Sequence, residues 1–267
     1  MKTQHLYWLL GACLGTPLFL FNFGIRAQNP KATPATRIEI LLADRWPVPT
    51  PVTKEQNRLT FRGLGLESIE IVEAIPKTGP ATPQKPIPLK IVKKEKSGPP
   101  ANRDSTQGGD SQLELELPVG ISGISSLRFA SREKAGELVI PWLETGIPFE
   151  MDKEPNGGFV QSQPIHSNQL ILGNIIPVKD VDVFSLNPPK GSKNLVLTGP
   201  KGNKLTLLRP FLMIHTAQGN LLKAQEWDGD KEIVVPLTDQ SNYFLSIIDT
   251  LDSSSNFHHY AFRVEFR

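Results

Sequence analysis

The sequence predicts an all-β chain of two β-sandwiches, an immunoglobulin-like one followed by a jelly-roll-like one. Three observations lead there. Helical periodicity is almost absent, while short runs of alternating or continuous β-branched and apolar residues recur from end to end. Turn formers punctuate those runs, with 21 Gly and 24 Pro among 267 residues, and regular turn signals between short strands argue for sandwiches. An extended segment, TGIPFEMDKEPNGG at 145–158, divides the chain into halves of about 110–120 residues, each long enough to bury its own core.

The first 27 residues read as a signal peptide. Lys2 and His5 give a polar start, Leu6 to Ile25 is mostly apolar and uncharged, and Ile25-Arg26-Ala27 offers a cleavage site after Ala27. A run of this length also suits an uncleaved anchor, and LGAC at 10–13 resembles a lipoprotein signal. Residues 28–36 are a polar linker. Cleavage removes Lys2 and Arg26 and no acid, which brings the 29 Lys+Arg level with the 27 Asp+Glu. A neutral mature chain gives no reason to expect a nucleic-acid partner. The single cysteine, Cys13, leaves with the signal. That excludes intramolecular disulfides, a thiol nucleophile and cysteine-ligated zinc. The expected location is the periplasm or the exterior, with no membrane contact after cleavage.

The immunoglobulin-like sandwich is expected over 37–148, with strands at 37–44, 57–63, 68–75, 88–95, 112–118, 125–131 and 136–142. QLELELP at 112–118 alternates cleanly, with Leu113, Leu115 and Leu117 facing a core and Glu114 and Glu116 facing water. KIVKKEK at 90–96 reads as a solvated edge strand whose lysines discourage aggregation. PKTGPATPQKP at 76–86 is a proline-rich loop. KSGPPANRDSTQGGDS at 96–111 is a mobile insertion in a hairpin.

The second sandwich is expected over 159–267, after a linker at 149–158. Its strands fall at 169–176, 181–187, 194–199, 204–217, 220–227, 231–238, 242–250 and 258–267. The longest must bend or break at Arg209-Pro210, since proline cannot donate within a sheet. AQGN at 217–220, WDGDK at 227–231 and GPKGNK at 199–204 read as hairpin turns. The last strand alternates Tyr260, Phe262, Val264 and Phe266 with Ala261, Arg263, Glu265 and Arg267, which marks a half-buried closing strand.

Residues 150–267 resemble the bacterial pre-peptidase C-terminal domain. The matching pieces are Glu154-Pro155-Asn156, Gly173-Asn174-Ile175, KDVDVFSL at 179–186, RPFLMIHTAQGNLL at 209–222, Asn242 to Ile247, and Tyr260 to Val264. In the first half, FRGLGLESIEIVEA at 61–74 and VGISGISSLRFAS at 119–131 are similar to the TIG type of immunoglobulin-like domain. The resemblance implies an exported, non-catalytic module. It also implies a calcium site built from Asp152, Glu154 and Asn156 together with Asp180 and Asp182. Calcium takes six to eight oxygen ligands from carboxylates and carbonyls. Alternation in an extended chain would put Asp152, Glu154 and Asn156 on one face and Asp180 and Asp182 on another. Gly157 stands where calcium-binding relatives often have an acid. The residues alone leave a second reading open: a linker turn at 154–156, with Asp180 or Asp182 capping a strand entry.

Catalytic motifs are missing from the sequence. GISGISS at 120–126 lacks the G-x-S-x-G pattern, and no H-E-x-x-H or phosphate-binding glycine motif occurs. His258 and His259 are adjacent, so in a strand their rings diverge. His215 lies in an apolar strand. The functional expectation is a binding or scaffolding protein of the bacterial envelope or exterior, stabilised by Ca2+, whose partner is an extracellular protein or polysaccharide. The alternative is an accessory module related to secreted peptidases that aids substrate capture.

Overall fold

The structure is a computed structural model, and it describes residues 37–77, 85–96, 98, 108–131, 137–145, 148–200, 205–238 and 242–267. The segment expected as a signal peptide, Cys13, most of the insertion expected at 96–111 and residues 201–204 of GPKGNK lie outside the described residues. Among the described residues no helix is long and apolar enough to cross a membrane.

The chain is all-β. Strands β1 (Glu39–Ala43), β2 (Arg58–Leu64), β3 (Ile69–Pro76), β4 (Ile87–Pro88), β5 (Lys90–Lys96), β6 (Ser111–Glu116), β7 (Ile124–Ser131) and β8 (Glu137–Pro141) build the first sandwich. One sheet runs β1-β2-β6-β5 and the other β4-β3-β7-β8, with antiparallel pairs throughout. The alternation of QLELELP is realised in β6: Leu113 and Leu115 are fully buried, while Glu114 and Glu116 pair with Arg58 and Glu116 also with Lys90. The lysine-rich β5 does occupy a sheet edge. Phe61 packs edge-on against Phe129 at 5.5 Å, and Trp46 bridges Phe61 to Trp142. Aromatic rings favour these tilted geometries because their edges are positive and their faces negative.

The second sandwich comprises β9 (Phe149–Met151), β10 (Gln163–Ile165), β11 (Leu170–Asn174), β12 (Val181–Leu186), β13 (Asn194–Thr198), β14 (Pro210–Thr216), β15 (Leu221–Glu226), β16 (Ile233–Pro236), β17 (Tyr243–Asp249) and β18 (His259–Phe266). Its sheets are β10-β12-β17-β14-β15 and β16-β13-β18-β11-β9. Two edge pairs are parallel, β10 with β12 and β9 with β11. The segment expected as a linker therefore begins as sheet: Phe149–Met151 belongs to the second sandwich. The break at Arg209-Pro210 is present, since β14 starts at Pro210. Upstream, 205–209 runs instead beside the start of β18, where Leu207 N–H donates to the Phe257 carbonyl.

The described residues of both sandwiches belong to one compact unit. Leu42 of β1 packs on Leu207 and Phe257, Ala43 N–H donates to the Leu205 carbonyl at 2.9 Å, and the Arg62 guanidinium lies 6.0 Å from the Phe257 ring centre.

Candidate metal centre

The acidic residues collect where β9 runs out beside β11 and β12 begins. Asp152 continues the β9 pairing, its N–H donating to the Leu172 carbonyl at 2.9 Å, and its carboxylate accepts from Asn174 N–H at 3.4 Å. Two residues on, Glu154 accepts from Asn156 N–H at 3.0 Å. The Asn156 carbonyl then accepts from Val183 N–H at 3.0 Å, which ties this segment to β12. Oxygens of Asp152, Glu154 and Asp182 all lie within 4.8 Å of one another.

Asp182 occupies an inward position of β12 and is wholly buried. One carboxylate oxygen accepts from the Tyr260 hydroxyl at 2.5 Å, a bond joining residues 78 positions apart. The other has no partner. Gly173, opposite Tyr260 in the β11–β18 ladder, makes room for that ring: a Cβ there would sit 2.3 Å from the tyrosine Cζ and hydroxyl oxygen. Asn156 is also wholly buried, and neither atom of its amide is hydrogen-bonded. An orphaned buried polar group costs about 1–3 kcal/mol.

Electrostatics point the same way. Burial, with Glu154 and Asp180 close by, pushes the Asp152 carboxyl up to about 6. Burial pushes Asp182 up to about 8, reinforced by Asp152, Asp180 and Glu154 and opposed by the Tyr260 hydrogen bond. The Tyr260 hydroxyl is raised well above its ordinary value by burial and by these carboxylates. The group thus holds a proton at neutral pH unless a cation takes its place.

Of the five ligands expected from the sequence, the structure brings Asp152, Glu154 and Asp182 together and buries Asn156 beside them in the chain. Asp180 stands apart from that group of three. It lies in the turn before β12, with its N–H on the Pro177 carbonyl, and its two oxygens accept from Ile176 N–H and Val181 N–H at 3.0 and 2.9 Å. Period-two alternation does not extend into a turn, so Asp180 caps the strand entry and its charge acts on Asp152 and Asp182. Gly157 has room for a side chain, since a Cβ there would meet nothing closer than the Val181 carbonyl at 3.5 Å.

Two other features escaped the sequence reading. Asp249, 2% exposed at the end of β17, accepts from Arg209 N–H at 3.0 Å and Ser253 N–H at 3.1 Å. It lies 3.9 Å from His258 Nε2, whose Nδ1 meets the Ser255 hydroxyl at 2.8 Å. The Ser-His-Asp order is superficial: His258 is fully buried, and Ser255 and Asp249 hold backbone amides of their own loop. On the outer face of the β12–β17–β14 sheet, Phe159 stacks on Phe244 at 4.6 Å and lies 5.4 Å from the His215 ring. Phe159 is 40% exposed. The linker expected from the sequence ends at 158, and no expected strand covers Phe159.

No family model and no curated protein matches the chain. Among solved structures it is similar to the pre-peptidase C-terminal domain of collagenase from Bacillus anthracis, at 13% identity and TM-score 0.28, over 43% of this chain and 100% of that one. It is similar to the secreted serine protease VesC from Vibrio cholerae at 12% identity and TM-score 0.28, over 79% of this chain and 46% of the protease. A third likeness is to SGBP-B of the Bacteroides ovatus mixed-linkage glucan utilization locus, solved with a mixed-linkage heptasaccharide, at 8% identity and TM-score 0.21, over 78% and 70% of the two chains. At these TM-scores the likenesses carry no functional weight.

Proposed function

We propose that the chain is an exported, non-catalytic binding or scaffolding protein whose two sandwiches act as domains and whose second sandwich is stabilised by calcium. Asp152, Glu154 and Asp182 would hold the ion, with the Asn156 amide oxygen as a fourth ligand. The observation that carries this reading is the Asp182 carboxyl, wholly buried with one oxygen unpaired and two further carboxylates within 4.8 Å. Three oxygen-bearing acids and an amide suit a hard cation that completes its shell with water. The ion would neutralise the cluster and cross-link the 152–156 segment to β12, and through Tyr260 to β18. The partner would be an extracellular protein or polysaccharide.

Thermal unfolding of the chain in millimolar calcium and in chelator tests the reading, beside Glu154→Ala and Asp182→Asn. A ligand that binds only the folded state adds about 2.7 kcal/mol at a hundred times its Kd. The expected outcome is a calcium-dependent rise in Tm that both variants abolish. An equal Tm in calcium and chelator contradicts it.

A further inference from the structure

A second region carries chemistry that the cation site does not use. The 205–209 segment, the end of β15 and the start of β18 enclose an open cleft of about 480 Å³, within the range of about 300–1,000 Å³ typical of small-ligand sites. Arg209, Glu226, Trp227, Asp228, Lys231 and His259 line it. Pro210 creates the opening, because it stops β14 and diverts the upstream segment to β18. There the Thr206 hydroxyl lies 2.9 Å and 2.7 Å from the Phe257 and His259 carbonyls. The opposite wall is as firmly held. Asp228 accepts from Asp230 N–H and Lys231 N–H, Gly229 has φ of 78° as this turn requires, and the Trp227 indole N–H donates to the Lys231 carbonyl at 2.9 Å.

Arg209 and Glu226 stand exposed at the rim of this cleft. Among the described residues neither the Arg209 guanidinium nor the Glu226 carboxylate has a side-chain partner. His259 is 4% exposed, and its ring lies against the Trp46 backbone, so it adds no free polar group to the cleft. The cationic lining, Arg209 and Lys231, is balanced by Glu226 and Asp228, so the cleft favours a ligand without net charge. Arg209 offers only donors and Glu226 only acceptors. Adjacent hydroxyls satisfy both, because each hydroxyl donates and accepts, and paired oxygens match the parallel N–H groups of a guanidinium.

We propose that this cleft binds a neutral saccharide unit, with Arg209 and Glu226 gripping its hydroxyls. The inference deepens the binding role and rests on it, but not on calcium. Isothermal titration of the full chain with maltose, cellobiose and N,N′-diacetylchitobiose tests it, in calcium and in EGTA, with glycylglycine as the zwitterionic control. The expected result is saturable binding of at least one disaccharide under both conditions. Arg209→Ala and Glu226→Ala should each weaken that binding about tenfold or more with Tm unchanged. No saturable binding of any disaccharide, binding indifferent to both variants, or saturation by glycylglycine alone overturns the proposal. A calcium effect on Tm without sugar binding would sink this site and leave the cation reading standing.

Discussion

Two buried aspartates lie in the same sheet and have opposite surroundings. Asp249, at the end of β17, is closed: both oxygens hold backbone amides and a histidine lies alongside. Asp182, in β12, is open: one oxygen has a tyrosine hydroxyl and the other has nothing. The protein supplies Asp249 with donors and Asp182 with further acids. A carboxylate surrounded by donors fixes a loop without outside help, whereas one surrounded by carboxylates awaits a proton or a metal ion. The two sandwiches repeat the contrast. The first has an apolar core whose few buried polar residues include Arg62 and Ser111, while the second buries Asn156, Asp182, Asp249, His258 and His259.

The largest effect should come from breaking the closed site. Asp249→Ala strips the acceptor from two amides, each bond to a charged group being worth about 1.5–3 kcal/mol. The loss should be about 3 kcal/mol or more in denaturant unfolding, and equal in calcium and in chelator. Gly173→Ala should come next, because the added Cβ drives Tyr260 off Asp182. Overpacking of this kind costs about 1–3 kcal/mol, and the calcium increment in Tm should shrink with it. Tyr260→Phe removes the hydroxyl and keeps the ring, so about 1–3 kcal/mol should be lost in calcium.

The pH dependence of stability sharpens the comparison further. In chelator, folded Asp182 holds its proton up to about 8, whereas an unfolded aspartate releases it near ~4. Stability from this group is therefore complete below about pH 4 and lost as pH rises through about 8, at about 1.4 kcal/mol per pH unit. Asp152, raised to about 6, adds to the loss over the lower part of that window. His259 acts in the opposite sense: burial lowers it to about 3, so its contribution is complete above about pH 6.5 and lost as pH falls. Calcium should flatten the rise-in-pH loss and leave the acid-side loss unchanged, as read by Tm from pH 4 to 9. The smallest effect should be Phe159→Ala, with about 1 kcal/mol lost from the stack on Phe244 and no change in the calcium response.

Much of the fold was legible because its signals are local. The alternation of QLELELP gave β6, Pro210 gave the start of β14, and the lysines of 90–96 gave an edge strand. The short strands β9 and β10 were not legible, since three residues carry no period and their parallel pairing is decided by partners distant in sequence. For the candidate site, the spacing of Asp152, Glu154 and Asn156 and the family resemblance pointed to segments that the fold brings together. They also drew in Asp180, which the turn diverts to backbone amides. The bond from Tyr260 to Asp182 could not be read from spacing. One clue was present: both residues fall at inward positions of their strands, and a buried tyrosine seeks a partner for its hydroxyl.

The central claim, that Asp182 gives up a proton to a cation, is tested most directly by calorimetric titration of calcium at pH 7 in two buffers of different ionisation enthalpy. The account predicts that about one proton is released for each calcium bound, and that Asp182→Asn removes the buffer dependence. Calcium binding with no proton release, or no calcium heat at all, would contradict it.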